Sequence, residues 1–162
     1  MIKAVRDCLA EMAKTGCLKE SLHYQEKGRG VNLNPSEHGE AIGIMVDGCL
    51  IDDDNIKKCD CLYFYQHSKN NRYTFLVELK GRNYHHALEQ LVETNQHPNF
   101  ALLHKAAQPN KTTIAVAIVR DSLKIPNRPQ KDIWEDANKL RLRILPCKEG
   151  SSRDLKDIIK DD

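Results

Sequence analysis

Two carboxylates and a lysine, Asp60, Glu78 and Lys80, could together act on a phosphate. Asp60 and Glu78 are predicted to lie opposite each other on two antiparallel strands, with Cβ atoms about 5 Å apart. Carboxylates in that arrangement repel each other, whereas a hard cation such as Mg²⁺ between them reverses the repulsion. Lys80 follows Glu78 by two residues and shares its face, where the ammonium could orient a water, assist its deprotonation or stabilise charge developing on a phosphate. This pattern predicts metal-assisted phosphodiester hydrolysis.

A predicted β-hairpin brings these residues together. Residues 59–66 (CDCLYFYQ) and 72–80 (RYTFLVELK) are rich in aromatic and β-branched residues, and the polar loop 67–71 between them has hairpin length. A five-residue loop pairs Gln66 with Arg72, and counting back from that pair places Asp60 opposite Glu78. The second run has apolar residues on both parities, which is typical of a strand buried on both faces.

The rest of the pattern predicts a mixed α/β chain without repeats or a domain linker. Helices are predicted at 2–14, 35–45, 83–95, 131–140 and 153–159, and further strands at 49–51, 112–119 and 142–145. The helix at 35–45 is predicted because Asn34 can cap it, Pro35 suits its first position and Glu37 lies in its first turn.

With these elements in place, the chain resembles the PD-(D/E)xK nuclease superfamily over about residues 35–120. The resemblance is carried by Asp60, by Glu78-Leu79-Lys80 at a strand end, and by the order helix, antiparallel strands, helix, strand. In the family an acid on the first core helix often completes the metal shell, and Glu40 is the best match. Some branches place a Gln-Leu pair on the helix after the lysine strand, which Gln90-Leu91 matches. The chain departs from the pattern in having Cys59 where the family often has Pro.

The resemblance implies an α/β fold with a restriction-endonuclease-like core, a central mixed β-sheet flanked by helices. Residues 1–162 would form a single nuclease-like domain, with an N-terminal helix and a C-terminal helix-strand-helix as additions to the core. It implies a Mg²⁺-dependent nuclease, with Mn²⁺ as a substitute, that hydrolyses phosphodiester bonds of nucleic acid, with DNA favoured. The catalytic residues would be Asp60, Glu78, Lys80 and Gln90, and the metal ligands Glu40, Asp60 and Glu78.

Nucleic-acid binding would depend on a local basic rim, because the whole chain is nearly neutral. It has 25 Lys and Arg residues against 23 Asp and Glu, a net charge of +2. Arg82, Lys57, Lys58 and Arg29 are the predicted nucleic-acid-binding residues. So small a net charge suggests limited non-specific affinity, and a homodimer or a protein partner could supply more binding surface.

The six cysteines, at positions 8, 17, 49, 59, 61 and 147, predict free thiols in a reducing cytoplasm, since no CxxC pair or zinc-finger spacing occurs. Apolar stretches are too short to cross a bilayer and the mean hydropathy is −0.60, so no membrane association is expected. The start of the chain has no apolar segment of signal-peptide type.

Alternative interpretations remain for several features. Asp52, Asp53 and Asp54 are more typical of a turn than of a metal site, and the two histidines at 85 and 86 of a solvated helix start. The chain as a whole could be a non-catalytic nuclease-like module that binds nucleic acid or a protein partner. It could also be an unrelated α/β domain in which Glu78 and Lys80 pair at the surface.

Overall fold

The computed structural model describes residues 1–80, 83–120 and 127–159. Its helices are α1 (Ile2–Glu11), α2 (Tyr84–Gln96), α3 (Pro98–Ala107) and α4 (Arg128–Asn138). Its strands are β1 (His23–Glu26), β2 (Arg29–Asn32), β3 (Glu40–Met45), β4 (Cys61–Ser68), β5 (Asn71–Leu79), β6 (Ile114–Arg120), β7 (Arg141–Cys147) and β8 (Ser151–Asp154). Short 3₁₀ helices cover Thr15–Cys17 and Leu155–Ile159. Within the described ranges no helix is long and apolar enough to cross a membrane.

A five-stranded mixed sheet in the order β3-β4-β5-β6-β7 forms the centre of the fold. β4 is antiparallel to both of its neighbours, β3 and β5, whereas β5, β6 and β7 run parallel to one another. The hairpin prediction is confirmed, because Gln66 pairs with Arg72 and Cys61 with Val77. Extending this register by one residue places Asp60 opposite Glu78. A mixed α/β fold is therefore confirmed.

The two faces of this sheet carry different layers. On one face α1, α2 and α3 pack through Leu9, Leu91 and Leu103 against sheet residues such as Phe64. On the other face Val31 of β2 and Leu155 of the second 3₁₀ helix pack against the opposite side of the same strands. Because β5 and β6 are covered on both sides, their side chains are apolar on both parities, as the sequence pattern indicated.

A second, three-stranded sheet in the order β1-β2-β8 supplies part of that other layer. β1 and β2 form a tight hairpin in which Lys27 and Gly28 both have positive φ, 47° and 76°, as a two-residue type I′ turn requires. β8 joins β2 in parallel, and the Gly150 N–H donates a 2.6 Å hydrogen bond to the Gly28 carbonyl. The hairpin is therefore held along the outer edge of β2 by β8 and at its turn by Gly150.

The predicted helix at 35–45 is wrong, because Glu40–Met45 is strand β3. Ile42 and Ile44 point into the helix-covered core. A Cβ at Gly43 would lie 3.1 Å from the ring of Tyr63. The alternation of side chains across the sheet outweighs the local capping signal, and Asn34 instead donates a 2.7 Å hydrogen bond to Asp154.

Smaller differences lie elsewhere in the chain. Residues 153–159 form the end of β8 and a 3₁₀ helix rather than an α-helix, and 49–51 make only an isolated bridge between Asp47 and Ile51. The prediction of six free thiols is wrong for Cys17 and Cys49, which form a disulfide with a Cα–Cα distance of 5.5 Å. The other four cysteines are free.

Candidate active site

A cleft of about 580 Å³ opens where β5 ends, between the β1–β2 hairpin on one side and α2 on the other. Ligands of open α/β sheets bind outside the carboxyl ends of parallel strands, and this cleft has that position beside β5 and β6. Its lining residues are Tyr24, Glu26, Lys27, Arg29, Asp47, Asp60, Glu78, Leu79, Lys80, Asn83 and Gln90. The structure thus brings together four of the five residues predicted for catalysis or metal binding: Asp60, Glu78, Lys80 and Gln90.

Asp60 is held in place by the backbone of β5. Its N–H donates to the Val77 carbonyl at 3.1 Å, and its Oδ2 accepts from the Leu79 N–H at 2.7 Å. Asp60 is only 9% exposed. These two hydrogen bonds fix the carboxylate beside Glu78 without using its second oxygen for either contact.

Glu78 is nearly fully buried, at 1% exposure, with an interior strand on each side of it. Its Oε1 lies 3.1 Å from the Lys80 ammonium nitrogen. Its Oε2 is buried and has no hydrogen-bond partner. Burying a carboxylate oxygen without a partner is costly, and such groups mark the place of a ligand or a strained functional site.

The pKa values of both carboxyls lie above their usual range. Burial is the largest cause for Glu78 and the Asp60 charge the second, and together they outweigh Lys80 and raise the Glu78 pKa to about 8. Burial also raises the pKa of Asp60 to about 6, with Glu26 repelling its charge. Because the two groups interact, their protons leave in two steps that belong to the pair. A cation placed between them would stabilise the doubly ionised state.

Lys80 follows β5 and faces the cleft. Its N–H donates to the Ile118 carbonyl at 2.8 Å, which continues the pairing with β6, and its side chain is 31% exposed. The ammonium can therefore reach both the buried Glu78 and a molecule in the cleft. The interpretation of Glu78 and Lys80 as an exposed surface pair does not fit this burial.

Gln90 reaches the cleft from the second turn of α2. Its side-chain N–H₂ donates to the Lys58 carbonyl at 2.7 Å, whereas its Oε1 is buried without a partner. The start of α2 is fixed by Asn83, whose side chain accepts from the His86 N–H at 3.3 Å. An unpaired amide oxygen and an unpaired carboxylate oxygen therefore both belong to residues that line this cleft.

Glu40 does not reach the cleft. It begins β3 and pairs with Gln66, five positions along the ladder from Met45 and Cys61, which are next to Asp60. At about 3.3 Å per residue the separation is roughly 17 Å. The wrong helix prediction is the reason, because only a helix would have turned Glu40 toward the site.

Glu26 is the carboxylate that sequence reasoning missed. It ends β1 and lines the cleft, its Oε1 lies 3.2 Å from the Lys27 ammonium, and its charge raises the pKa of Asp60. The available signal was the pair Lys27-Gly28 between two short alternating runs, which is compatible with a type I′ hairpin. Residues 24–35 are mostly polar and contain two glycines, so the sequence alone favours a connecting segment there.

Tyr24 shares the cleft-facing side of β1 with Glu26. The Lys19 ammonium lies 4.7 Å from the centre of the Tyr24 ring, within cation–π distance. Burial, followed by the charges of Asp60 and Glu26, raises the pKa of the phenol above its usual value. Tyr24 therefore remains protonated and can donate a hydrogen bond in the cleft.

The predicted nucleic-acid-binding residues have different fates. Arg29 lines the cleft and donates to the Cys147 carbonyl at 3.3 Å. Lys58 is 7% exposed and donates to the Asp53 carbonyl at 2.7 Å, so it is an internal cation of its own loop. Lys57 pairs with Glu89 at 2.9 Å. Arg82 lies outside the described residues.

The two carboxylates of the cleft fit a divalent ion whose other ligands are waters and substrate phosphate oxygens. Among the residues that the structure describes, no group of three or more His, Cys, Asp or Glu side chains could hold a metal ion. Asp60 and Glu78 remain as a pair, and Mg²⁺ is commonly bound by one or two carboxylates together with waters and substrate phosphates. The unpaired Oε2 of Glu78 is the observation that favours such an ion.

Comparison of this chain with protein-family models, with curated proteins and with solved structures finds no match.

Proposed function

We propose that this chain is a metal-dependent nuclease with a restriction-endonuclease-like core, which hydrolyses phosphodiester bonds of nucleic acid, with DNA favoured, by a PD-(D/E)xK mechanism. The observation that carries the proposal is the buried pair Asp60 and Glu78, with Glu78 Oε2 unpartnered and the Lys80 ammonium 3.1 Å from Oε1. A protein without a ligand here would gain stability by replacing one of these carboxylates.

Asp60 and Glu78 would hold Mg²⁺ or Mn²⁺, which when bound supplies Lewis-acid stabilisation of a phosphoryl oxygen and of a water. Lys80 donates hydrogen bonds to a phosphate oxygen or to the attacking water, and exchanges its ion pair with Glu78 for that contact. Gln90 Oε1 can accept a hydrogen bond from a water in the cleft. Hydrolysis adds this water across a P–O bond and leaves a phosphate monoester and a hydroxyl.

The charges that line the cleft explain why a cation is needed. Three cationic side chains, Lys27, Arg29 and Lys80, face four acidic ones, Glu26, Asp47, Asp60 and Glu78. When all are ionised the lining is negative by one charge and would repel a phosphodiester. A divalent ion reverses the sign, so substrate binding and metal binding are coupled.

The proposal is tested by incubating the purified protein with plasmid and single-stranded DNA and RNA in Mg²⁺, Mn²⁺ or EDTA. We expect cleavage in the metal-containing reactions only. Asp60→Asn and Lys80→Met should each lower the rate by about 100-fold or more, because each removes a group that acts on the reacting phosphate or its ion. Asp136→Asn, which changes an exposed aspartate of α4, is the matched control and should cleave normally.

Cleavage that persists in both Asp60→Asn and Lys80→Met would contradict the mechanism. A protein whose melting temperature rises with Mg²⁺ but which cuts none of these three substrates would instead be a binding module.

A further inference from the structure

A second cavity, of about 490 Å³, lies at the opposite end of the five-stranded sheet from the cleft. It is formed by the end of α3, the start of β6 and the residue after α4. Its lining residues are Asn95, Phe100, Ala101, His104, Lys105, Lys111, Thr112, Thr113 and Lys139. We call it the lysine pocket. Within the described part of the chain no carboxylate lines it, in contrast to the cleft.

The three lysines of the pocket are exposed, and their ammonium groups make no hydrogen bond or ion pair with any described residue. This distinguishes Lys105, Lys111 and Lys139 from Lys57 and Lys58, which are paired with acids. Three like charges around one cavity repel each other. No carboxylate among the described residues lines the pocket to balance them, so an anion from solution is the partner that would relieve the repulsion.

The ends of two helices reduce this positive charge but do not cancel it. α3 ends at Ala107 and α4 at Asn138, and each carboxyl end carries about half a negative charge. Against three ammonium groups this leaves a net charge of about +2. The helix ends account for part of the lysine enrichment, since Lys105 lies in the last turn of α3. They do not account for Lys111, which belongs to neither helix.

The uncharged lining residues suit a phosphate group. Thr112 is exposed and can donate its hydroxyl hydrogen, whereas Thr113 is buried and lies 3.1 Å from His104 Nε2. The His104 ring packs 5.4 Å from the Phe100 ring, which makes a fixed floor. Lysines and threonine hydroxyls are the groups that contact phosphate oxygens in nucleic-acid complexes.

We propose that the lysine pocket binds a backbone phosphate of the same nucleic-acid strand that the cleft cleaves, at a point away from the scissile bond. This rests on the proposed nuclease function. Thr113 lies just before β6, whereas the Lys80 N–H bonds to Ile118 near the other end of β6. Thr113 and Ile118 are five positions apart, which at about 3.3 Å per residue separates these two points by roughly 17 Å along the strand. The pocket therefore extends the substrate contact well beyond the reacting group.

Binding is measured without metal, so that the result does not depend on cleavage. A fluorescently labelled 20-nucleotide single strand is titrated in EDTA at several salt concentrations. Each lysine that neutralises a phosphate contributes about 0.7 to the slope of log K against log salt. Lys105→Gln with Lys111→Gln should therefore reduce the slope by about 1.4 and weaken binding at low salt by at least fivefold.

The control removes the same number of charges elsewhere. Lys3→Gln with Lys131→Gln changes two lysines that pair with Asp7 and Glu135 outside the pocket. This variant should keep the wild-type slope, and equal melting temperatures should show that both doubles are folded. A pocket variant that binds with the wild-type slope would overturn the proposal.

A second measurement separates a strand from a free nucleotide. The His104 ring protons are followed by NMR while AMP, inorganic phosphate or the 20-nucleotide strand is added in separate titrations. If AMP saturates the pocket at micromolar concentration and the oligonucleotide affinity does not depend on the lysines, the proposal of a strand contact is wrong. If the oligonucleotide shifts the ring protons and loses affinity in the pocket variant, the proposal holds. Failure of the nuclease proposal would appear separately, as absence of metal-dependent cleavage.

Discussion

The burial of the Glu78 carboxylate lowers the stability of the folded protein, and the proposed cation would relieve this cost. One of its oxygens faces Lys80 and the other has no partner, although the residue is almost completely buried. Breaking such a pair by removing Lys80 alone would leave a buried charge uncompensated. Replacing the Glu78 carboxylate removes the buried charge itself. At this position, therefore, one substitution should raise stability and abolish the proposed activity.

The first prediction concerns the pH dependence of stability in EDTA. The Glu78 pKa rises from its ordinary 4.5 to about 8 on folding, so the folded protein holds the proton more tightly. The free energy of unfolding should therefore fall as pH rises from about 4.5 to 8, and stay low above that. Glu78→Gln removes this titration and should be more stable than wild type by roughly 1–3 kcal/mol at pH 9, with little difference at pH 4.5.

Urea unfolding at pH 4.5 and 9 measures the effect, with Glu37→Gln, an exposed position, as the matched variant. Equal pH profiles for wild type and Glu78→Gln would show that the Glu78 carboxylate is already compensated in the folded protein. Added Mg²⁺ should stabilise wild type at pH 9 and leave Glu78→Gln largely unaffected, because only wild type presents both carboxylates.

At the scale of elements, the three-stranded sheet β1-β2-β8 forms the second wall of the cleft at the end of β5. β1 carries Tyr24 and Glu26 to the site, and β2 lies between β1 and β8 and pairs with both. Gly30 lies at the centre of β2, where an added Cβ would collide with Ser152 Oγ and lie 3.1 Å from the Tyr24 carbonyl. The position of the hairpin depends on this close approach.

The second prediction is that Gly30→Ala displaces β2 from β8 and shifts β1 with it. It should lower the free energy of unfolding by about 1–3 kcal/mol through overpacking. It should also slow cleavage, although Asp60 and Glu78 are on other strands. Chemical denaturation and the plasmid assay measure the two effects.

Ser152→Ala in the same chain should restore part of both properties by removing the clashing hydroxyl. Gly16→Ala is the control, because a Cβ there meets nothing within 4 Å and the change should be nearly neutral. If Gly30→Ala unfolds and cleaves like wild type, the three-stranded sheet is not a fixed wall of the site.

At the scale of the whole molecule, one covalent link joins two distant parts of the chain. Cys17 follows α1 and Cys49 follows β3, with a sequence separation of 32 residues. A cross-link of that length restricts the unfolded chain and stabilises the folded state by about 3–4 kcal/mol in the chain-entropy model. The disulfide thus contributes to the stability of the layer that α1 forms on the central sheet.

The third prediction is that Cys17→Ser with Cys49→Ser lowers the free energy of unfolding by this amount, measured in urea without reductant. Thiol titration of the denatured, unreduced wild-type protein should find four reactive cysteines, and six after reduction. Six before reduction would mean that the disulfide is absent and that the sequence-based prediction of free thiols is correct.

The sequence predicted the strands β4 and β5 that carry Asp60 and Glu78, but it did not predict β3 or the β1–β2 hairpin that forms the second wall of the cleft. The register of Asp60 and Glu78 follows from local pairing across one short loop, so residue types and spacing were sufficient. Strand β3 was missed because Asn34, Pro35 and Glu37 imitate a helix start, while its paired residues on β4 are 16 to 26 positions away. The β1–β2 hairpin packs against β8, more than 100 residues later, and no local pattern reports that contact.

The parallel pairing of β2 with β8 sets the order in which the site can be completed during synthesis. A growing chain that has released residues 1–120 already contains Asp60, Glu78, Lys80 and Gln90, whereas residues 151–154, which pair with β2, are still to be made. A two-stranded hairpin alone is only marginally stable in water. Until residues 151–154 have been made and released, the acidic pair therefore lacks its fixed second wall, and a chain without β8 should bind the proposed nucleic-acid substrate less well than one that includes it.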